Sequence, residues 1–404
     1  MDLRDKLKYY QFERKKVLPE KDNPLEEIAS RLNATVLERD TLPVFKIEKS
    51  IPLSYMHPLL TDDSYSAVQI PLLTKKKFPD PINLDEILIF DLETTGLAGG
   101  TGTYPFLIGF GIFEKNTIKI RQYFLPDFGR EISAYLDIRN YQRETNVLLS
   151  YNGKTFDYPL LRNRFILNRI DNPFENHAHL DLLHAARRLY KKHLPSCSLE
   201  SIEKYVFSFN RWGDIEGSLI PQSYFTFLQT GELNDIQRII DHNQQDIVSL
   251  ARLLFHLHHL ENDEFDSTYP EKEFVSIFNL AIKISDLEQI EPMINSVTKE
   301  EKILPAQSLK SYSLLLKKEQ KWDKALDIWH KLINDGEEVL FSCEEIAKYY
   351  EHREINLQLA LNYTNRAIEY INIIEEIHNH TDIGENRLNL TRRLNRLQNK
   401  MSKM

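Results

Sequence analysis

Three apolar runs, Ile87–Phe90, Phe106–Phe113 and Ile118–Phe124, follow one another before any helical periodicity sets in. A short apolar run that enters a glycine-rich turn, here Gly96–Gly100, has the pattern of a buried strand leaving a sheet. The second and third runs lie at hairpin spacing. A chain that begins this way lays down pleated sheet first. Helical periodicity then appears over Ile132–Tyr141. After another short apolar run, Val147–Tyr151, a helix is predicted over Asp157–Arg169. Further helices are expected over Asp181–Tyr190, Leu199–Val206 and Asn234–Leu260, the last because Ile236, Ile239, Ile240, Ile247, Leu250, Leu253, Leu254 and Leu257 recur at threes and fours. Strands followed by strand–helix alternation imply an α/β domain over residues 82–261.

The flanks read differently. Residues 1–81 form an N-terminal extension, partly helical: 1–20 read as a solvated helix with Tyr9, Tyr10 and Phe12 on one face. Short β-type runs follow at Thr35–Leu37 and Val44–Ile47, and Lys75–Lys77 with Pro79 and Pro81 mark a boundary. Beyond Asn262 glycine nearly vanishes and helical patterns take over, giving an all-α domain over 262–404. Ala325 and Ala360 stand at the ~34-residue period of a helix-turn-helix solenoid, although Thr364 replaces the Trp329 of the first copy. A TPR-like stack and a plain helical bundle both fit. Residues 387–404 read as a basic amphipathic helix or a frayed end.

Composition removes several function classes. Among 404 residues, 51 Lys+Arg against 60 Asp+Glu leave a net charge of −9, which excludes binding nucleic acid through overall charge but permits a local basic groove. Apolar residues at 42% exclude wholesale disorder. The two cysteines, Cys197 and Cys343, carry no CxxC spacing, so a disulfide framework and a zinc ribbon are not expected. No window approaches the ~18 uninterrupted apolar residues of a membrane span. Met1–Lys21 is charged throughout, so a soluble, cytoplasmic protein is expected.

Four acidic positions draw attention. Asp91 and Glu93 flank Leu92 at the end of a buried strand, so both carboxylates emerge on one face. Two buried carboxylates side by side repel unless a cation neutralises them, and hard cations such as Mg²⁺ or Mn²⁺ prefer oxygen ligands. Asp157 opens a helix after the Tyr151–Gly153 turn, where a plain N-cap is the bland alternative. Asp246 lies on the long helix with His242 one turn earlier on the same face. Singly, each has a structural explanation. Together they form an ordered set inside one α/β domain.

That set resembles the DEDD superfamily of 3′-to-5′ exonucleases, which are built on a ribonuclease H-like fold. The strings FDLETTGLAGGTGTYPFLIGFG, LLSYNGKTFDYPLLRNR, HLDLLHAARRLY, SLESIEKYVF, DIEGSLIPQSYF and HNQQDIVSLARLL look like the bacterial YprB-like family, from about Asp85 to about Leu260. The resemblance implies a mixed sheet flanked by helices. It also implies four metal-binding carboxylates, Asp91, Glu93, Asp157 and Asp246, holding two divalent cations that serve both ends of an in-line displacement ~4 Å apart. One subclass carries Tyr four residues before the last acid and the other carries His five before it. Here His242 sits four before Asp246, with Asp241 at the fifth position. Helix geometry favours His242 as general base or water orienter.

The resulting expectation is a metal-dependent 3′-to-5′ exonuclease on single-stranded DNA or RNA ends. Lys154, Asn152 and Thr94 are candidate substrate contacts, and the helical C-terminus is a candidate protein-docking arm. A nucleic-acid-binding scaffold that recruits a protein through those helices is the second reading. Phe156 is expected in the core. Basic residues such as Arg162, Arg164, Arg187 and Arg188 are offered to phosphates or to solvent. The cluster His177, His179, Asp181 and His184 reads as a strand-to-helix junction and not as a zinc site.

Overall fold

A computed structural model describes residues 24–37, 43–55, 66–78, 80–96, 102–129, 131–140, 145–262, 270–284, 287–299, 304–377 and 384–403. The helix expected in 1–20 and the glycine turn at 97–101 lie outside these residues. The chain divides into two compact units, 1–263 and 264–404.

In the first unit the strands are β1 (Thr35–Leu37), β2 (Val44–Pro52), β3 (Ala67–Val68), β4 (Ile82–Asn83), β5 (Ile87–Thr94), β6 (Pro105–Glu114), β7 (Thr117–Phe124), β8 (Val147–Ser150) and β9 (Ala178–Asp181). Strands β3 and β4 pair separately. The other seven form one sheet in the order β1-β2-β7-β6-β5-β8-β9. Neighbours from β1 to β5 run antiparallel, whereas β5–β8 and β8–β9 are parallel. This is the ribonuclease H-like mixed sheet that the sequence led us to expect. The early runs at 35–37 and 44–52 join it as its far antiparallel edge, β2 pairing along the whole of β7.

The helices of this unit are α1 (Pro24–Arg31), α2 (Pro71–Thr74), α3 (Ile132–Asn140), α4 (Asp157–Leu167), α5 (Leu182–Tyr190), α6 (Leu199–Tyr205), α7 (Ile220–Thr230) and α8 (Asn234–Asn262). The long helix α8 packs over β5, β6 and β7. Its apolar stripe of Ile236, Ile239, Ile240, Ile247, Leu250, Leu253, Leu254 and Leu257 is buried. Two glycines of β6 let it come close. A Cβ on Gly109 would stand 2.8 Å from Ile247 Cδ1 and nearer still to Asn243 Oδ1, and one on Gly111 would stand 2.6 Å from Ile247 Cγ2. Because Gly109 is the register partner of Asp91, this is where the helix is brought down onto the acidic strand. At the far end of α8, Glu261 accepts the amides of Leu72 and Leu73 at 2.9 and 2.8 Å and so ties α2 to the helix.

The second unit is all helical: α9 (Glu271–Ile284), α10 (Leu287–Lys299), α11 (Ala306–Lys318), α12 (Trp322–Asn334), α13 (Val339–His352), α14 (Leu357–Ile377) and α15 (Gly384–Met401). From α11 onward each helix packs on the next. Ala325 and Ala360 are fully buried, as their small size at close helix crossings requires. Trp329 is also buried, its indole N–H donating to Ser313 Oγ at 2.9 Å. Among the described residues, no helix is long and apolar enough to cross a membrane.

Candidate metal and phosphate-chemistry site

Asp91 and Glu93 are alternate residues of β5, so their side chains leave one face of the sheet, and a register irregularity between Glu93 and Thr94 ends the regular pairing there. Asp91 is held in place. Gln122 donates its amide to Ile240 O and to Asn243 Oδ1, both at 2.8 Å, which turns the Asn243 amide so that Nδ2 faces Asp91. Asn243 then donates to Asp91 Oδ2 at 2.8 Å and to the Asp91 carbonyl at 3.3 Å.

Asp157 is the first residue of α4, and the N-cap position falls to Phe156 with no side-chain cap. The N-cap explanation of Asp157 therefore does not describe it. Its loop is shaped by Asp181, which accepts the amides of Asn152 at 2.8 Å and Lys154 at 3.2 Å while capping α5 through Leu183 N–H at 3.1 Å. Asn152 takes a left-handed conformation, φ 65°. A Cβ on Gly153 would meet Ser150 Cβ at 2.7 Å and Asp157 Oδ2 at 3.1 Å, so the turn closes against the acid only with glycine there.

Glu93, His242 and Asp246 each offer a ligand atom, and these atoms lie within 4.8 Å of one another. Asp91 and Asp157 stand near enough that their charges add to the same field. Burial first, then the charges of Asp246 and Asp157, push the Asp91 carboxyl well above the usual carboxylate range. Burial followed by Asp91, Asp246 and Asp157 does the same to Glu93. Asp157 is pushed up to about 7 by burial and then by Asp181. Glu93, His242 and Asp246 thus come together, and Asp91 and Asp157 lie within reach of the same field. A nest of carboxylate oxygens with one imidazole, whose mutual repulsion a bound cation would relieve, fits hard divalent ions.

Several partners of this cluster were not read from the sequence. Arg211, in the loop between α6 and α7, forks onto the buried Glu203 with two bonds of 2.6 Å and also donates to Asp246 Oδ1. Glu203 accepts a further bond from Ser249. The carboxylates of Glu203 and Asp246 hold the Arg211 guanidinium firmly in its charged form despite its burial. Asp214 places both oxygens 2.9 Å from His242 Nδ1. Burial, the largest single influence, opposes the charge on Asp214, but His242, the Ile215 amide and Arg211 together outweigh it and lower the carboxyl below its usual range. A carboxylate only accepts, so in the pair with Asp214 it is Nδ1 that donates. Nε2 is left facing the cluster, 3.6 Å from Asp246 Oδ2.

Other expectations need correction. Phe156 is 52% exposed and not in the core. Arg164 pairs with the buried Glu131 and lies over the Tyr104 ring, Arg188 donates to the Leu73 carbonyl, and Arg162 bonds Glu175 at 3.2 Å. Structural partners therefore account for these three cations. Thr94 donates its hydroxyl to Gly96 O at 2.9 Å, while the side chain of Lys154 is exposed. Around His179 and Asp181, β9 gives way to α5 as expected, with His179 Nε2 and Ser150 Oγ 2.7 Å apart.

Residues 88–258 match a family model described as the RNase_H superfamily. The chain is also similar to the "Uncharacterized protein YprB" of Bacillus subtilis (strain 168), with 29% identity over 335 residues, covering 80% of this chain and 79% of that protein. The matched segment holds all but the first residue of β5, β6 to β9, most of α8 and every carboxylate of the cluster. Over residues 88–258 the chain is thus similar to the RNase H superfamily, and the sheet of its first unit is ribonuclease H-like.

Proposed function

We propose that this chain is a nuclease that removes nucleotides from the 3′ end of single-stranded DNA or RNA, with two divalent cations, Mg²⁺ or Mn²⁺, held by Asp91, Glu93, Asp157 and Asp246. The observation that carries this reading is the convergence of acids from one strand and two helices on a single cluster within an RNase H-like domain. When bound, such cations lower the pKa of water and stabilise charge at phosphorus and at the leaving oxygen. The protein's own groups do the rest. Asn243 fixes one oxygen of Asp91 and leaves the other for the cluster. Arg211 fixes Asp246 Oδ1, and Oδ2 faces His242. His242 takes the proton of the attacking water at Nε2, and Asp214 holds the ring at Nδ1 for that purpose. Lys154, Asn152 and Thr94 edge the path of the substrate strand.

A 3′- or 5′-labelled oligonucleotide incubated with Mg²⁺, Mn²⁺ or EDTA tests the reading. Stepwise shortening from the 3′ end with either ion, and none in EDTA, is expected. Absence of hydrolysis with every divalent ion sinks it. Asp214→Asn is expected to lower turnover roughly 10–100-fold, the usual effect of removing the partner that orients a site histidine, with the melting temperature little changed. Turnover equal to the native chain's would remove Asp214 from the mechanism.

The pairing of Arg211 with Asp246 also favours a second reading, a binding scaffold whose last acid already has its cation. Mn²⁺ binding that Asp246→Asn abolishes separates the enzyme from the scaffold. In either reading we assign the helical unit a TPR-like stacking and the docking of a protein partner, and its repeated buried alanines support this. The free thiols Cys197 and Cys343 suit a cytoplasmic setting.

A further inference from the structure

The tetrapeptide Arg211-Trp212-Gly213-Asp214 is anchored at both ends to the acidic cluster. Arg211 forks onto Glu203 with two 2.6 Å bonds and touches Asp246, while Asp214 holds His242 Nδ1 at 2.9 Å. Its backbone is pinned as well. Arg238 of α8 donates to Gly213 O at 3.2 Å and to Asp214 O at 2.8 Å. Gly213 turns the chain at φ 73°, a conformation glycine takes without strain. Between these fixed points Trp212 is 94% exposed, whereas Trp329 of the helical unit is fully buried.

Leaving an indole in water forgoes the stabilisation gained on burying a large apolar side chain. Its immediate neighbours Asn210, Gly213 and Glu216 are also exposed, and the nearest exposed large apolar side chains along the chain are the half-exposed Tyr205 and Leu219. A single ring on a backbone that Arg238 holds at Gly213 and Asp214 offers little area for the apolar centre of a protein interface. It is well matched to a nucleobase, because every base has a face on which an aromatic ring stacks. The ring is borne by the residue between the Asp246 contact and the His242 contact.

We propose that Trp212 is a stacking platform for one unpaired base of the strand whose phosphate lies at that cluster. The proposal rests on the nuclease reading and deepens it. A base within a duplex has both faces covered by its neighbours, so the platform selects unpaired ends over blunt ones.

The test uses the full chain, Mn²⁺ and an end-labelled twelve-nucleotide thymidine strand, with Trp212→Ala and Trp212→Phe compared after melting curves establish that both are folded. Loss of a base stack weakens binding roughly tenfold. The alanine variant is expected to show that loss in the substrate concentration giving half-maximal rate, and the phenylalanine variant is expected to recover most of it. Strands carrying a single abasic unit at successive positions should reveal one position where the native chain suffers the same loss. At that position Trp212→Ala should suffer nothing further. Native-like behaviour of Trp212→Ala, or losses that simply add, would overturn the platform while leaving the nuclease reading intact. If the native chain cuts no strand, the nuclease reading falls by itself, and indole fluorescence on adding the same strand decides the platform. Quenching that disappears in Trp212→Ala, which retains Trp322 and Trp329, supports it. Unchanged fluorescence in the native chain overturns it.

Discussion

Replacing Asp91 with asparagine is expected to lower divalent-dependent hydrolysis by roughly three orders of magnitude, because loss of a ligand removes several kcal/mol of charge stabilisation and each 1.36 kcal/mol is tenfold. The same change is expected to stabilise the protein in EDTA. Asparagine still offers Asn243 an acceptor oxygen, so the local hydrogen bond survives. What disappears is a buried charge that Asp246 and Asp157 repel. A carboxyl raised above its unfolded value contributes its full stability below about pH 4, the ordinary range of the unfolded group, and loses it as the pH climbs through the folded value. The metal-free native chain is therefore expected to melt at lower temperature at pH 8 than at pH 6, where the Asp157 carboxyl, at about 7, is mostly protonated. Asp91→Asn should flatten that slope, gaining roughly 2–4 °C for each kcal/mol of repulsion relieved. Adding Mn²⁺ should reverse the order, since an ion that binds only the folded native chain raises its melting point. Melting curves at the two pH values, with EDTA and with Mn²⁺, measure all of this. A variant that melts lower than the native chain in EDTA at pH 8 would show that the acids are not crowded.

Arg211→Ala is expected to have the largest effect on stability. Glu203 has 1% side-chain exposure and depends on the guanidinium fork, with Ser249 as its other partner, and Asp246 loses its cation too. Removing one partner of a buried ion pair costs about 3–5 kcal/mol, which for a domain of this size lowers the melting point by about 10 °C. Arg211→Lys should recover only part of this, because an ammonium cannot make both bonds of the fork. Glu203→Gln added to Arg211→Ala should recover more, since it removes the stranded charge. Mn²⁺ should help through Asp246 alone. If Arg211→Ala melts within a degree or two of the native chain, the guanidinium does not bridge the two acids.

The acids and strands were legible because their signals are local. A buried strand that ends in alternating carboxylates, a turn that opens a helix, and a histidine one helical turn from an acid each fit within a few residues. The edge strand β2 was visible as a short β-type run, but its partner β7 begins 65 residues after Pro52, and nothing in either run names the other. Arg211 and Asp214 were hidden for a related reason. They lie in a loop without periodicity, and their partners are Glu203, Asp246 and His242, most of them more than 25 residues away. Asn243 was within reach, since it lies three residues before Asp246, and two glycines opposite α8 hint at a close approach. Phe156 misled because an aromatic residue beside a helix start defaults to the core, whereas this turn displays it.

The central claim is that Asp91, Glu93, Asp157 and Asp246 form a cation site. Calorimetric titration of the metal-free full chain with Mn²⁺ at pH 7.5 tests it most directly. Two ions per chain are expected, with proton release as the raised carboxyls ionise, and with binding lost in Asp246→Asn. Silence in that titration, or unaltered binding by the variant, would contradict it.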